Sequence, residues 1–263
     1  MPTQPLTIDD LETGLQALDI DVSTPVIFHA SLNSFGPIDG QVETMVMALT
    51  GMFNAWMIPA FTYKTMIIPE CGPDHNGITY GSGKDLNRMA EFFSADMEVD
   101  KTIGITAEYL RKSPQVMRSM HPILSFCGFG VEDGLEKQTL NEPLAPIGWL
   151  FEQSGCVILL GVDHTSNTSI HYAEKMAGRK QYIRWALTLD GILPCPNFPG
   201  CSEGFNQAER LLMPFSRQVK IGKAQVTAIP IKALVETVAN MIKQTPGFLL
   251  CDNPTCERCK EFR

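Results

Sequence analysis

CVILLGVDHTSNTSIHYAE, residues 156–174, decides the fold. Cys156 to Leu160 form a continuous apolar run, too short for a helix and without alternation, which is the pattern of a strand buried on both faces. Gly161 ends the run. A polar turn over 164–168 follows, and 169–178 then reads as a helix carrying His171 and Glu174. A buried strand that turns directly into a helix is the building unit of an α/β domain.

Working outward, the same alternation recurs. Ile8, Leu11, Leu15 and Leu18 stand at helical spacing behind Thr7, a suitable N-cap, so a helix is expected over 8–18. Strands are expected at 26–30, 55–62, 123–129, 182–187 and 226–230, and helices at 42–53, 105–111, 144–153 and 231–243. Residues 63–100 mix Pro, Gly, Asp and Asn without periodicity and read as a long functional loop.

A chain of 263 residues, 44% hydrophobic, can bury one large core or two smaller ones sharing a cleft. A formal charge of −8 repels nucleic-acid phosphates and steers small cations toward the surface, so a small cationic amine suits it better than a nucleic acid. The N-terminal residues have no basic, apolar leader pattern, and no stretch has the length of apolar residues needed to cross a bilayer. The expectation is a cytoplasmic protein without membrane partners. Its eight cysteines then read as reduced thiols or metal ligands.

The chemistry is expected where the strand ends and the helix begins. Strand ends of α/β sheets open onto the ligand crevice, and a helix N-terminus presents free N–H groups. Thr168 or Ser169 would cap this helix, and a neighbouring N–H would stabilise an oxyanion. His171 and Glu174 are three apart and share a helix face, which suits a histidine base oriented by a carboxylate. The opposing reading is a buried helix histidine beside a solvated surface glutamate. His164 is expected as an exposed loop residue on the turn.

Two further segments carry possible ligand contacts. HASLNSFG, residues 29–36, brings small residues after a strand, yet lacks the glycine spacing for a dinucleotide or a nucleoside triphosphate. In RSMHP, residues 118–122, Arg118 could meet a phosphate and His121 is held extended by the following proline. Near the end, Cys251, Cys256 and Cys259 are spaced C-x4-C-x2-C, after Cys195 and Cys201 in CPNFPGC. Two or three of these with a fourth ligand suit structural zinc. Alternatively they are free thiols on a tail docked by Leu249 and Leu250.

HASLNSFGPIDG, IPAFTY, RSMHPILSFCGFG and PLAPIGWLFEQSGCVILLGVDHTSNTSIHYAE together, in this order, resemble the aminoglycoside 3-N-acetyltransferase family from about Leu6 to Leu250. The resemblance implies an α/β fold with a central mixed sheet flanked by helices, distinct from the small general acetyltransferase fold. It implies one such domain over 1–263, with a cysteine-rich tail at 250–263. The implied reaction is transfer of an acetyl group from acetyl-CoA to an aminoglycoside amine, the 3-amino group foremost. A different small primary amine, or a CoA-binding protein without catalysis, are the alternatives. By position, Ser31, Leu32, Asn33, Ser34 and Gly36, with Arg118, Ser119, His121 and Ser125, would contact acetyl-CoA. His171 would be the general base, partnered by Glu174 or Glu203, and Thr168 would assist at the oxyanion. Asp74, Asp96, Glu98 and Glu174 are candidate acids for a polycationic substrate.

Overall fold

The computed structural model describes residues 4–263. Its strands are β1 (Val26–Ala30), β2 (Trp56–Pro59), β3 (Met66–Ile67), β4 (Met117–Arg118), β5 (Phe126–Phe129), β6 (Cys156–Leu160), β7 (Tyr182–Thr188), β8 (Gly191–Phe198), β9 (Arg217–Ile221) and β10 (Ala224–Pro230). Seven of them form one sheet in the order β4-β5-β2-β1-β6-β10-β9. β1 runs parallel to β2 and to β6, while β5, β4, β10 and β9 join antiparallel outside them. The expected central mixed sheet is therefore formed.

Each central strand sends alternate side chains to opposite faces. On one face Ile27, Val157, Leu159 and Ile229 pack with Ile147, Leu150, Ile170, Ala173, Leu234 and Val238, which come from the helices Ala145–Glu152, Ser169–Met176 and Ile231–Gln244. On the other, Val26, Phe28, Ile158, Leu160 and Val226 meet Leu11, Leu15, Met45, Leu49 and Leu110 of the helices Ile8–Gln16, Gln41–Met52 and Ile105–Arg111. Both faces covered by helices explains why β6 reads as an unbroken apolar run and β1 as one broken only by His29. Thr7 caps the first helix as expected, in a reciprocal capping box with Asp10.

A second sheet of three antiparallel strands, β3-β7-β8, stands beside the first. β8 was not expected, because Pro194 and Pro196 argue against a strand; it tolerates them as an edge strand, whose outer N–H groups need no partner. β9 was also not expected, being a polar edge strand. Within 63–100 the chain forms β3 and the short helix Lys84–Arg88, held by Asn87, which both accepts from Ile68 N (2.9 Å) and donates to Ile68 O (2.8 Å). No helix among the described residues is long and apolar enough to cross a membrane.

Burial of two histidines in this framework has a consequence for acid stability. It pushes His29, on β1, down to about 3 and His121 down to about 4. In the unfolded chain both titrate near about 6.5. The folded values are depressed, so the unfolded state binds more protons between these limits and stability falls as pH drops from about 6.5 toward 4. Denaturant unfolding from pH 7.5 to 4.5 should show uptake of about two protons on unfolding at the lower end. A flat profile across this range would contradict the burial of both rings.

Candidate active site

A cavity of about 1070 Å³ opens at the carboxyl ends of the parallel strands. His29 and Ala30 at the end of β1, Ile58 and Pro59 at the end of β2, and Val162 just beyond β6 line it. β1 connects through the helix Gln41–Met52 to β2 on one side, while β6 on its other side is entered through the helix Ala145–Glu152 on the opposite face, so the strand order reverses there. Such a switch point is where open α/β sheets bind ligands. The second sheet contributes Arg184 and Phe198 to the opposite wall.

The turn after β6 is built by side chains. Gly161 adopts φ +68°, and a Cβ there would stand 2.7 Å from Ser34 Cβ, so the residue must be glycine for the two loops to meet. Asp163 accepts from Thr165 N (3.0 Å) and from Asn206 Nδ2 (2.8 Å), while Asn206 Oδ1 accepts from His164 N (3.0 Å). Asn167, not Thr168 or Ser169, supplies the side chain at the helix start, its Oδ1 accepting from Ser169 N at 3.2 Å. The Thr168 side chain makes no capping bond and lines the cavity.

His171 lies in the first turn of the helix Ser169–Met176 and also lines the cavity. Its Nδ1 is 2.7 Å from Glu174 Oε2, and its ring meets Phe205 edge-on with centroids 4.7 Å apart. Glu174 is only 2% exposed, which rules out the surface-charge alternative. Its other oxygen accepts from Arg179 Nη1 at 2.7 Å, and Arg179 Nη2 donates to the carbonyls of Pro246 (2.8 Å) and Phe248 (2.7 Å). A carboxylate only accepts, so the geometry places the proton on Nδ1 and leaves Nε2 as the basic nitrogen. Of the two carboxylates considered, Glu174 contacts the histidine; Glu203 is exposed and lines the cavity.

His164 differs from expectation. It is 6% exposed, with Nδ1 3.3 Å from Asn167 Nδ2, and burial lowers its pKa. It borders a second cavity of about 580 Å³ on the other side of the turn.

The expected cosubstrate residues divide into two groups. Ser31, Leu32 and Asn33 line the main cavity; Ser34 donates to Ser31 Oγ (2.9 Å) and borders the second cavity, and Gly36 turns the chain at φ +84°. Arg118, Ser119, His121 and Ser125 do not line the main cavity and are engaged internally instead. Arg118 donates to Ser125 Oγ (3.1 Å), Ala60 O (2.7 Å) and Ala95 O (3.2 Å), and also to Met97 O. Ser125 donates to Ala60 O (2.7 Å), Ser119 accepts from Phe126 N (2.8 Å), and His121 Nδ1 accepts from Ile123 N and Leu124 N. This segment braces the end of β2, from behind the cavity wall.

Several cavity residues were not anticipated. Glu257 and Arg258 reach it from the cysteine-rich tail. Arg184, buried between the rings of Tyr182 and Phe198, is lowered to about 10 by burial and by the nearby Arg258. Asp74, Asp96 and Glu98 are exposed and lie off the cavity, so its carboxylates are Glu203 and Glu257. Of the cysteines, Cys201 joins Cys251, Cys256 and Cys259 in one cluster, while Cys195 packs in the sheet core.

Residues 27–243 match the family model described as Aminoglycoside 3-N-acetyltransferase. The chain is 28% identical over 185 residues to the SPbeta prophage-derived aminoglycoside N(3')-acetyltransferase-like protein YokD of Bacillus subtilis (strain 168). That alignment covers 65% of this chain and 66% of the relative, so the matched part spans just under two thirds of the relative's length. Among solved structures, the aminoglycoside acetyltransferase AAC(3)-IVa apoenzyme superposes with a TM-score of 0.80 at 23% identity, covering 99% of this chain and 98% of the other. AAC-IIIb, in a binary structure with CoASH, gives a TM-score of 0.73 at 20% identity over 92% and 97% of the two chains.

Proposed function

The chain belongs to the aminoglycoside 3-N-acetyltransferase family, and from that membership we propose that it transfers the acetyl group of acetyl-CoA directly to an amine of an aminoglycoside, the 3-amino group foremost. The observation that carries this reading is the cavity-lining His171 with Nδ1 fixed by the buried Glu174–Arg179 pair. Use of CoA is supported by the CoASH-bound neighbour.

An aminoglycoside amine is largely protonated near neutrality and must lose a proton before it can attack. His171 Nε2 takes that proton. The amine nitrogen then forms a bond to the thioester carbonyl carbon, and the carbonyl π electrons move to oxygen. Thr168 lines the cavity at the start of the helix, which supports its hydroxyl or a first-turn N–H as the donor to that oxyanion. The attacking nitrogen, cationic after bond formation, loses its second proton to solvent; collapse breaks the C–S bond, and the departing thiolate is protonated by the His171 imidazolium. The products are the N-acetyl amine and CoA thiol, with one proton released overall. The chain folds as a single domain of this family with its cysteine tail docked against it.

The test is appearance of free CoA thiol on mixing protein, acetyl-CoA and gentamicin, kanamycin, apramycin or neomycin. Among the cysteines only Cys71 is exposed and Cys256 half-buried, so the protein-only blank should be small. Turnover with at least one aminoglycoside is expected. Saturable acetyl-CoA binding with no turnover on the panel would transfer the reading to another primary amine, and absence of both would overturn it.

A further inference from the structure

Besides the groups discussed above, the described residues bring four soft metal-ligating atoms together, and one of the four residues, Cys256, also lines the main cavity. The sulfurs of Cys201, Cys251, Cys256 and Cys259 all lie within 4.8 Å of one another. A tetrahedral ion with metal–sulfur bonds of about 2.3 Å spaces its ligand atoms about 3.8 Å apart, so these sulfurs stand within about 1 Å of coordinating positions. Cys201, Cys251 and Cys259 are buried in a small cluster with Leu250, separate from both sheet-face cores. That is little apolar surface to hold a tail whose residues have so few other side chains to bury. The loop at Cys201 and the tail nevertheless meet closely: a Cβ at Gly204 would stand 2.3 Å from Leu249 O.

We propose that Cys201, Cys251, Cys256 and Cys259 bind one structural Zn²⁺, and that this ion sets a wall of the cavity by clamping the tail against the loop at Cys201. A donor set of four sulfurs, closed and without oxygen or imidazole, matches tetrahedral structural zinc. Four thiols lose their protons to solvent as four Zn–S bonds form, and nothing is oxidised or reduced. The resulting negative charge is met locally: Cys251 N donates toward Cys259 Sγ (3.5 Å), and Arg263 Nη2 lies 4.0 Å from Cys251 Sγ. Cys201 is about fifty residues from Cys251, so the ion closes a long loop.

The link to the cavity runs through the residues between the ligands. Asn253, Glu257 and Arg258 line it, and the Arg258 carbonyl accepts from Tyr182 OH at 2.6 Å. This second part rests on the reading of that cavity as the substrate site; the metal itself does not.

Protein purified under reducing conditions is expected to contain about one zinc per chain, with X-ray absorption showing four sulfur neighbours at about 2.3 Å. Cys201→Ser should lower zinc content at least tenfold after dialysis against a weak chelator, whereas Cys71→Ser, at the exposed cysteine, should retain it. Stripping the metal with a strong chelator should speed tryptic cleavage at Arg258 and Lys260 more than tenfold. Metal-free protein from zinc-supplemented cells, iron in place of zinc, oxygen or nitrogen among the neighbours, or full zinc retention in Cys201→Ser would overturn the site. If Cys201→Ser does not fold, the absorption spectrum of the unaltered protein decides alone. Unchanged cleavage on stripping would overturn the clamp, and none of these measurements depends on acetyl transfer.

Discussion

Replacing His171 by alanine is expected to lower kcat for acetyl transfer by about a thousandfold, in the middle of the range for loss of a positioned general base. The size follows from the arrangement. Among the cavity-lining residues His171 has its Nδ1 fixed by a buried carboxylate, and the lining carboxylates Glu203 and Glu257 have no such partner, so they should replace it poorly in proton removal. Acetyl-CoA affinity should change less than threefold, since the ring's contacts are with Glu174 and Phe205. Calorimetric titration of acetyl-CoA beside steady-state kinetics checks both parts. His171→Gln, which keeps more of the volume against Phe205, should be equally inactive and closer to the parent in Tm. If either variant keeps more than a tenth of the parent kcat, His171 is not the base. A raised KM with unchanged kcat would instead make it a binding residue.

The residues that define this site differ in how visible they are in the sequence. β1 and β6 are evident because strands covered on both faces are mainly apolar, His29 being the one polar residue of β1, and the helix Ile231–Gln244 because one stripe of it meets the sheet. The His171–Glu174 pair is visible because both lie on one helix, where spacing fixes geometry. Arg179 has no such spacing. It lies beyond the helix end, and its role depends on the carbonyls of Pro246 and Phe248, nearly seventy residues away. Cys201 joins three cysteines that follow it by fifty residues or more, and choosing it over Cys195 needed the path of β8, whose prolines hide it as a strand.

The placement of RSMHP shows the reverse limit. An arginine, two serines and a histidine in a loop look suited to a phosphate, yet every donor of Arg118 that bonds does so within the chain, to Ser125 and to the carbonyls of Ala60, Ala95 and Met97. The Ala60 carbonyl just past β2 and those of Ala95 and Met97 in the neighbouring loop take donors from Arg118, and a guanidinium serves several at once. Residue type alone does not distinguish that task from binding a ligand. Depth relative to the cavity does.

Glu174→Gln is expected to reduce kcat by about two to four orders of magnitude while leaving the fold intact, because it changes which nitrogen of His171 carries the proton. In the parent, Glu174 accepts on both sides, from His171 Nδ1 and from Arg179 Nη1. The glutamine amide has one accepting and one donating end. Arg179 can only donate, so it holds the oxygen, and the NH₂ group turns toward His171. Nδ1 must then accept, the proton moves to Nε2, and the nitrogen facing the amine is no longer basic. Arg179→Met removes the other partner and acts differently. It leaves a buried carboxylate short of one charge-assisted bond and should cost about 3–5 kcal/mol in stability, with a smaller loss of kcat because Glu174 still accepts from Nδ1. Both variants break the buried pair and should lose stability, so the kinetics distinguish them: kcat beside urea unfolding should show the larger kinetic loss for Glu174→Gln and the smaller for Arg179→Met. Equal kinetic losses in the two would mean that the pair only holds the helix, and that the protonation state of His171 is set elsewhere.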